Sequence, residues 1–200
     1  MLLRFCGHEI DRAPAHALAM FATRGQVFVG RRGWQALARP DGLERDAADG
    51  PAAEYLLLLG PDRRIVAGLR LLPTLGRRPV LCVDPALVAG LDLPSGPRVW
   101  ELTRFFVLKG HGRPGLLRNR LLDALFAHCR ERGVACLLAT IDAGLLGHFR
   151  RIGLAMTPLG APFAFAEGRA VVVVVAVAPA GPAVTFVDLP AGPDLDDVVR

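Results

Sequence analysis

Lysine is almost missing from this chain of 200 residues: Lys109 is the only one, and the basic excess is carried by arginine. Cysteine is scarce too. Cys6, Cys82, Cys129 and Cys136 form no CxxC pair, and Cys6 with His8 has no second ligand pair at zinc spacing, so a structural zinc site is not expected. Cys129 and Cys136 sit in apolar stretches and read as small core residues of a reduced, cytoplasmic protein. No apolar run is long enough to cross a bilayer as a helix. The longest, 170-AVVVVVAVA-178, is β-branched and predicts a buried strand instead. The start, MLLRFCGHEIDR, lacks the apolar core of a signal segment. Nor does an aromatic-plus-basic surface motif for nucleic acid stand out. Neither a membrane nor a nucleic acid is expected as a partner, and no metal is called for.

What remains is a chain that is 52% hydrophobic and 22% charged, with a formal net charge of +5. That composition suits one globular domain over residues 1–200. Arginine favours planar, bidentate contact with carboxylate or phosphate, so the excess points to an anionic partner without identifying it.

Periodicity predicts the elements. Residues 11–24 read as a helix, and 25–52 as a long loop or short helical turns of the kind that carry function. Residues 54–60 and 65–73 read as strands joined by a turn at 61–64, which makes a hairpin. A short helix is expected over 84–90 and a strand over 99–108. The glycine-rich 110-GHGRPG-115 follows, then a helix over 116–133 with Leu117, Leu121, Leu122, Leu125, Phe126 and Cys129 at helical spacing and Gly133 as its stop. Strands over 134–140, 163–166 and 170–178, a helix over 143–152 and a fraying tail from about 180 to 200 complete the chain. The order predicts an α/β sandwich with a mixed sheet.

Four constellations carry chemistry. The strand 98-RVWELTRFF-106 holds Glu101 and Arg104 in a mostly apolar run. Strict alternation would put them on opposite faces, so a bulge or splay is expected there. The glycine-rich turn before a helix, with Lys109 and Arg113, forms an anion site, because free N–H groups and the positive dipole end face the ligand. The acidic run 44-ERDAAD-49 either binds a cation or orders arginines, and Arg70 between leucines asks for an acidic partner. Phe28 and Trp34 offer aromatic faces that suit a sulfonium or ammonium group, or simply pack under a loop, with Arg24 as the cation at a helix end.

The order of these residues resembles the acyl-homoserine-lactone synthases, the autoinducer synthases of quorum sensing. The resemblance runs from about residue 20 to 165. It rests on Arg24, Phe28 and Trp34, on Glu44, Asp46 and Asp49, on Tyr55-Leu56-Leu57, on Arg70-Leu71-Leu72-Pro73-Thr74 and on Trp100-Glu101-Leu102-Thr103-Arg104-Phe105. Two positions depart from the pattern: Thr103, where serine is usual, and Asp84, where phenylalanine usually precedes the proline.

The resemblance implies a GNAT-like three-layer sandwich with a mixed, mostly antiparallel sheet. It implies an acyl transfer from acyl-CoA or an acyl carrier protein to the amine of S-adenosylmethionine, then lactone closure with release of methylthioadenosine; another N-acyltransferase of the same fold is the alternative. Glu101, Arg104 and Arg24 are then expected at the reacting centre, with Glu101 as general base. Phe28, Trp34, Glu44, Asp46, Asp49 and Arg70 are expected around S-adenosylmethionine. Phe105, Leu121, Leu125, Leu138, Thr140 and Phe149 are expected around the acyl chain, and Lys109 and Arg113 at the thioester donor. Arg113, Arg118, Arg120, Arg150 and Arg151 could meet an acidic carrier protein or coenzyme A phosphates.

Overall fold

A computed structural model of the chain describes residues 1–75, 85–165 and 168–188. Asp84 and Cys82 lie outside the described residues, as does the tail beyond Asp188. The strands are β1 (Leu2–Cys6), β2 (Glu54–Leu59), β3 (Ile65–Pro73), β4 (Val99–Val107), β5 (Cys136–Asp142), β6 (Met156–Pro158), β7 (Phe163–Phe165), β8 (Gly168–Ala176) and β9 (Val187–Asp188). The α-helices are α1 (Pro14–Arg24), α2 (Pro85–Val88), α3 (Pro114–Glu131) and α4 (Leu146–Arg151). The fold is α/β, and the strand pairings are mixed and mostly antiparallel, as expected.

The chain divides into two compact units. The first comprises Met1–Arg70, Arg104–Leu125 and Pro182–Arg200, the second Leu71–Thr103 and Phe126–Gly181. The boundaries fall inside β3, after Arg70, and inside β4, before Arg104.

In the first unit the strand order is β4–β3–β2–β1–β9. The hairpin of β2 and β3 turns over Gly60–Arg64, where the Gly60 amide donates to the Arg64 carbonyl at 2.9 Å. Both strands are buried along nearly their whole length, which is why they read as continuous leucine-rich runs rather than alternating ones. β1 pairs antiparallel with β2 from Leu2↔Leu58 to Cys6↔Glu54, and β9 covers its other edge in parallel. Sequence reasoning missed both flanking strands. β1 is short and directly precedes a 3-10 turn over Gly7–Arg12, and β9 is only two residues long.

In the second unit β4 and β5 run parallel from Val99↔Cys136 to Leu102↔Ala139. A parallel pair needs a long crossover, and α3 supplies it. β8 pairs antiparallel with β5 from Cys136↔Ala176 to Asp142↔Ala170, and also carries β6 and β7. Val171, Val172, Val173 and Val175 are buried, as the run predicted, and Val174 is partly so. Thr74 ties down the start of β4: its hydroxyl donates to the Val99 carbonyl at 2.7 Å and accepts from the Gly96 amide at 3.1 Å.

Two helix starts shift from expectation for one reason. α1 begins at Pro14 and α3 at Pro114, because proline's fixed φ and missing N–H suit the first turn. On α3 the buried positions are Leu121, Ala124, Leu125, Ala127, His128 and Cys129, all but Ala127 on one helical face. Gly133, at φ 69, ends it.

The segment expected as loop or short turns over 25–52 is more ordered than a loop. Gly25–Arg31 continues α1 as a π-helix, and Gln35–Leu37 makes a 3-10 turn. The acidic run that follows is pinned by close backbone approach at both ends. A Cβ on Gly25 would overlap the carbonyl oxygen of Gly42, and one on Gly7 that of Gly50. Gly25→Ala should therefore cost about 1–3 kcal/mol, the usual range for overpacking. Gly90→Ala, whose Cβ would meet nothing within 4 Å, should stay within about 0.5 kcal/mol of the parent. Urea denaturation of the two variants checks this; equal stability would mean the 42–50 loop is free to shift.

Candidate active site

Three guanidiniums and three carboxylates interlock in the first unit. α1 ends in Arg24, the loop supplies Glu44, Asp46 and Asp49, β3 supplies Arg70, and β4 supplies Arg104. Arg24 donates from Nε to Glu44 Oε2 at 2.6 Å, and from Nη1 and Nη2 to the two oxygens of Asp49 at 2.7 and 3.0 Å. Arg70 grips Asp46 bidentately at 2.7 and 3.1 Å and lies 2.8 Å from Asp49 Oδ1. Arg104 donates to both oxygens of Glu44 at 3.0 and 2.9 Å, and to Asp46 Oδ2 at 2.8 Å. Each carboxylate thus bridges two arginines, with the bidentate geometry that gives such pairs their strength.

Burial makes this cluster demanding. The side chains of Arg24 and Glu44 are each 1% exposed, Arg70 is 0% and Asp49 is 4%; only Asp46, at 26%, reaches solvent. Isolated charges at these depths would be costly, and matched ones hold each other ionised. Burial alone would raise the pKa values of Glu44, Asp46 and Asp49. The hydrogen bonds and charges of Arg104 and Arg24 on Glu44, of Arg70 on Asp46, and of Arg24 on Asp49 outweigh it and hold all three carboxyls below their ordinary range. Arg70 is pushed further up despite its burial by Asp46 and Asp49.

The loop helps from within. The Asp46 amide donates to Asp49 Oδ2 and the Ala48 amide to Asp46 Oδ1, each at 2.8 Å. The Glu44 amide is anchored on the Phe21 carbonyl of α1 at 3.0 Å. This is the local reason for the E-x-D-x-x-D spacing of 44–49: the two aspartates cap a tight turn with the same oxygens that face the arginines. Sequence reasoning quoted Tyr55 but gave it no task. Its hydroxyl donates to Asp49 Oδ1 at 2.9 Å, and its ring stacks on Phe5 at 4.9 Å. Burial and the Asp49 charge keep that phenol neutral by raising its pKa.

Arg104 carries the irregularity expected of its strand. Its φ is 53°, in the left-handed region, at a cost on the order of 1–3 kcal/mol for a residue with a Cβ. Regular pairing of β4 with β5 ends at Leu102, and Thr103 and Arg104 are both buried.

An aromatic pair adjoins the cluster. Phe28, on the π-helix, stacks on Trp34 with centroids 5.3 Å apart and meets Phe106 edge-on at 6.3 Å. The Arg104 guanidinium lies 5.7 Å from the Phe28 centroid. Helical irregularities of this type often sit at functional sites, because the extra residue turns a side chain out of the regular register. A second cation, Arg32, was not singled out from sequence. Its guanidinium lies 5.2 Å from the Phe28 centroid and 5.5 Å from that of Trp34.

The remaining expected residues fall in both units. Lys109 and Arg113 are exposed around Gly110 and Gly112, both at positive φ, just before α3 in the first unit. Leu121 and Leu125 are buried on α3, and Phe105 is half-buried on β4. In the second unit Glu101 is fully buried opposite Leu138. Leu138 packs with Val172 amid Val88, Leu91, Leu93, Val99, Leu159, Phe163 and Val174. Thr140 and Phe149 are half-buried in the same unit. No group of three His, Cys, Asp or Glu among the described residues could hold a metal ion. No helix among them is long and apolar enough to cross a membrane.

Comparison with known proteins bears on this geometry. Residues 9–181 match the family described as autoinducer synthase. The chain is 39% identical over 142 residues, 71% of its length and 64% of the relative's, to the isovaleryl-homoserine lactone synthase of Bradyrhizobium diazoefficiens. It is 33% identical to the acyl-homoserine-lactone synthase of Ralstonia nicotianae, over 83% of each chain. Among solved structures, a CoA-dependent acyl-homoserine lactone synthase, BjaI, with SAM and isopentyl-CoA superposes with a TM-score of 0.82 at 31% identity. That match covers 100% of this chain and 97% of the other.

The carboxylates set an acid limit on stability. Their folded-state pKa values lie below the unfolded ones, so their contribution is complete above about pH 4. It is lost as the pH falls through the folded-state values. Asp49→Asn should cost about 3 kcal/mol or more at pH 7 by breaking a buried pair. The gap to the parent should narrow once the pH drops below about 4. Urea denaturation at pH 7 and between about pH 2 and 3 measures both; an unchanged gap would mean Asp49 is not held ionised by the arginines.

Proposed function

The chain belongs to the autoinducer synthase family, and from that premise we propose that it makes an acyl-homoserine lactone from S-adenosylmethionine and an acyl thioester. One observation supports this most: the six interlocked charges abut a stacked Phe28–Trp34 pair. Aromatic faces attract a sulfonium through the ring quadrupole. Arginines held in a fixed frame suit the methionyl carboxylate. Glu44, Asp46, Asp49 and Arg70 hold Arg24 and Arg104 in that frame through the pairs described above. Asp46, the most exposed of the three acids, is the one placed to meet the ligand's ammonium or ribose.

The chemistry has two steps. An α-ammonium with a pKa near 8 must lose a proton before its nitrogen can attack. Glu101, buried on β4, takes that proton directly or through a water. The nitrogen adds to the thioester carbonyl, the C–S bond breaks, and the thiol leaves carrying a proton. The methionyl carboxylate then attacks the γ-carbon beside the sulfonium. The C–O bond closes the lactone as the C–S bond breaks, and methylthioadenosine leaves with the electron pair, now neutral. Loss of the sulfonium charge drives this closure, so the protein has only to align carboxylate and γ-carbon. The acyl chain packs on apolar residues of the expected set, with the Leu138 cluster as its main contact and Thr140 as the polar neighbour.

For the donor we favour a coenzyme A thioester of a branched or aryl acid over an acyl carrier protein. The stretches 32-RGWQALARPDG-42 and 158-PLGAP-162 resemble members that use coenzyme A. Two solved relatives are described as CoA-dependent enzymes. Lys109 and Arg113, beside the N-terminus of α3, suit its phosphates.

Incubation with S-adenosylmethionine and matched acyl-CoA and acyl-carrier thioesters should release methylthioadenosine, faster with the CoA form. Failure of every thioester with folded protein would end the proposal. Glu101→Gln should lower turnover by about 100-fold or more without a change in melting temperature; unchanged turnover would remove Glu101 from the base role.

A further inference from the structure

A short apolar face in the second unit is covered but not closed. In the antiparallel pairing of β5 with β8, Leu138 lies opposite Val174 and Thr140 opposite Val172, so these four side chains share one side of the sheet. Leu138 and Val172 are buried there. Val88 at the end of α2, Leu91 and Leu93 just after it, and Leu159 and Phe163 around the β6–β7 connection pack against them and are only partly buried. An apolar layer whose cover still reaches solvent can admit a hydrocarbon chain, which a closed core cannot.

One contact in that cover is very close. A Cβ on Gly160 would lie 2.6 Å from Leu91 Cδ2, 3.8 Å from its Cγ and 4.0 Å from its Cδ1, and these are its three nearest neighbours. Gly160 is not among the glycines at positive φ, so backbone conformation does not demand glycine there. Room for Leu91 does. The main chain behind Leu91 is firmly placed. The Leu159 amide donates to the Val172 carbonyl at 3.0 Å, and Arg169 Nη2 donates to the Pro162 carbonyl at 2.8 Å. Pro158 and Pro162 bracket the turn and restrict its backbone. The Leu91 amide in turn donates to the Val88 carbonyl at 3.1 Å.

We infer that Leu91, braced on Gly160, is the stop that limits how long an acyl chain this enzyme accepts. The inference rests on the placement of the acyl chain on the Leu138 cluster proposed above. A chain lying along Leu138 and Val172 meets in Leu91 a side chain that cannot retreat toward Gly160, because contact there is already made. Each methylene that fits in front of it adds apolar contact. The next one must push Leu91 out of its rotamer or shift the turn behind it, as in any overpacked core. The stop therefore favours short acids, branched ones included, over long straight chains.

Turnover of the full chain with S-adenosylmethionine and isovaleryl-, hexanoyl- or octanoyl-CoA, followed by release of methylthioadenosine, tests this. The parent should use octanoyl-CoA less well than isovaleryl-CoA. Leu91→Ala should raise kcat/KM for octanoyl-CoA relative to isovaleryl-CoA about ten-fold or more, the range of a methylene or more in an apolar pocket. Leu91→Met keeps the volume and should hold that ratio within about three-fold of the parent. Gly160→Ala should shift the ratio in the parent but not in Leu91→Ala, where the nearest neighbours of the added methyl are gone. Melting temperatures establish that each variant is folded; should Leu91→Ala not fold, Leu91→Val reads the same effect at about three-fold. A parent that uses octanoyl-CoA as readily as isovaleryl-CoA would overturn the inference, as would an equal effect of Gly160→Ala in both backgrounds. A ratio moved by Leu138→Ala but not by Leu91→Ala would overturn it while keeping the acyl chain on this face; a ratio moved by neither would remove the chain from the face as well. Were the parent to release methylthioadenosine with no thioester at all, the proposed function would fall and this inference with it, an outcome distinct from an unmoved ratio in an active parent.

Discussion

The grip of Arg24 on Asp49 and Glu44 is the interaction on which the rest of the site depends. It joins the end of α1 to the acidic loop by three hydrogen bonds, all sequestered from water. Without it, Asp49 would lose its bidentate partner while still beside Tyr55, and Glu44 would be left to Arg104 alone. A buried cluster of this kind is no source of net stability by itself, since desolvating six ions offsets most of their attraction. What it supplies is uniqueness. Each guanidinium is planar and forked, each carboxylate has two oxygens, and few arrangements satisfy all of them at once.

That demand explains two departures from regular backbone. Gly25 and Gly7 let the loop approach so closely that no side chain fits between. Arg104 takes a left-handed backbone conformation inside a strand, a local cost met by bonds to two acids. A residue in the β region at 104 would aim its side chain to the sheet face set by alternation. The irregular φ turns the guanidinium onto Glu44 and Asp46 instead.

Much of this was legible in the sequence, and the limits are instructive. β2, β3, α3 and β8 were readable because burial leaves continuous or period-matched apolar runs. The break in β4 was readable because two charges three residues apart fall on opposite faces of a regular strand. Residues 25–31 were harder, since a π-helix has no propensity signature; only its hydrogen bonds reveal it. The acidic run was ambiguous for a different reason. Sequence alone gives acids and arginines, not their pairing, so binding a cation and ordering arginines looked alike until the distances separated them. Tyr55 was hidden among leucines, and its role appears only because the loop folds Asp49 over it. Arg32 looked like one surface arginine among many.

The pairing also constrains how a cation can be held. With three guanidiniums matched to three carboxylates, the cluster is formally neutral, and the exposed part of it is Asp46 alone. Six matched charges give a short-ranged field that dies away within a few ångströms of the cluster surface. A sulfonium resting outside it would feel little net pull from the acids, despite their number in the sequence. On the function proposed above, its selection then falls to aromatic faces such as those of Phe28 and Trp34. The acids govern the site at one remove, by fixing the arginine whose guanidinium lies near Phe28 and whose backbone bends the strand. An acidic run that appears built to attract a cation thus acts chiefly by holding other cations still.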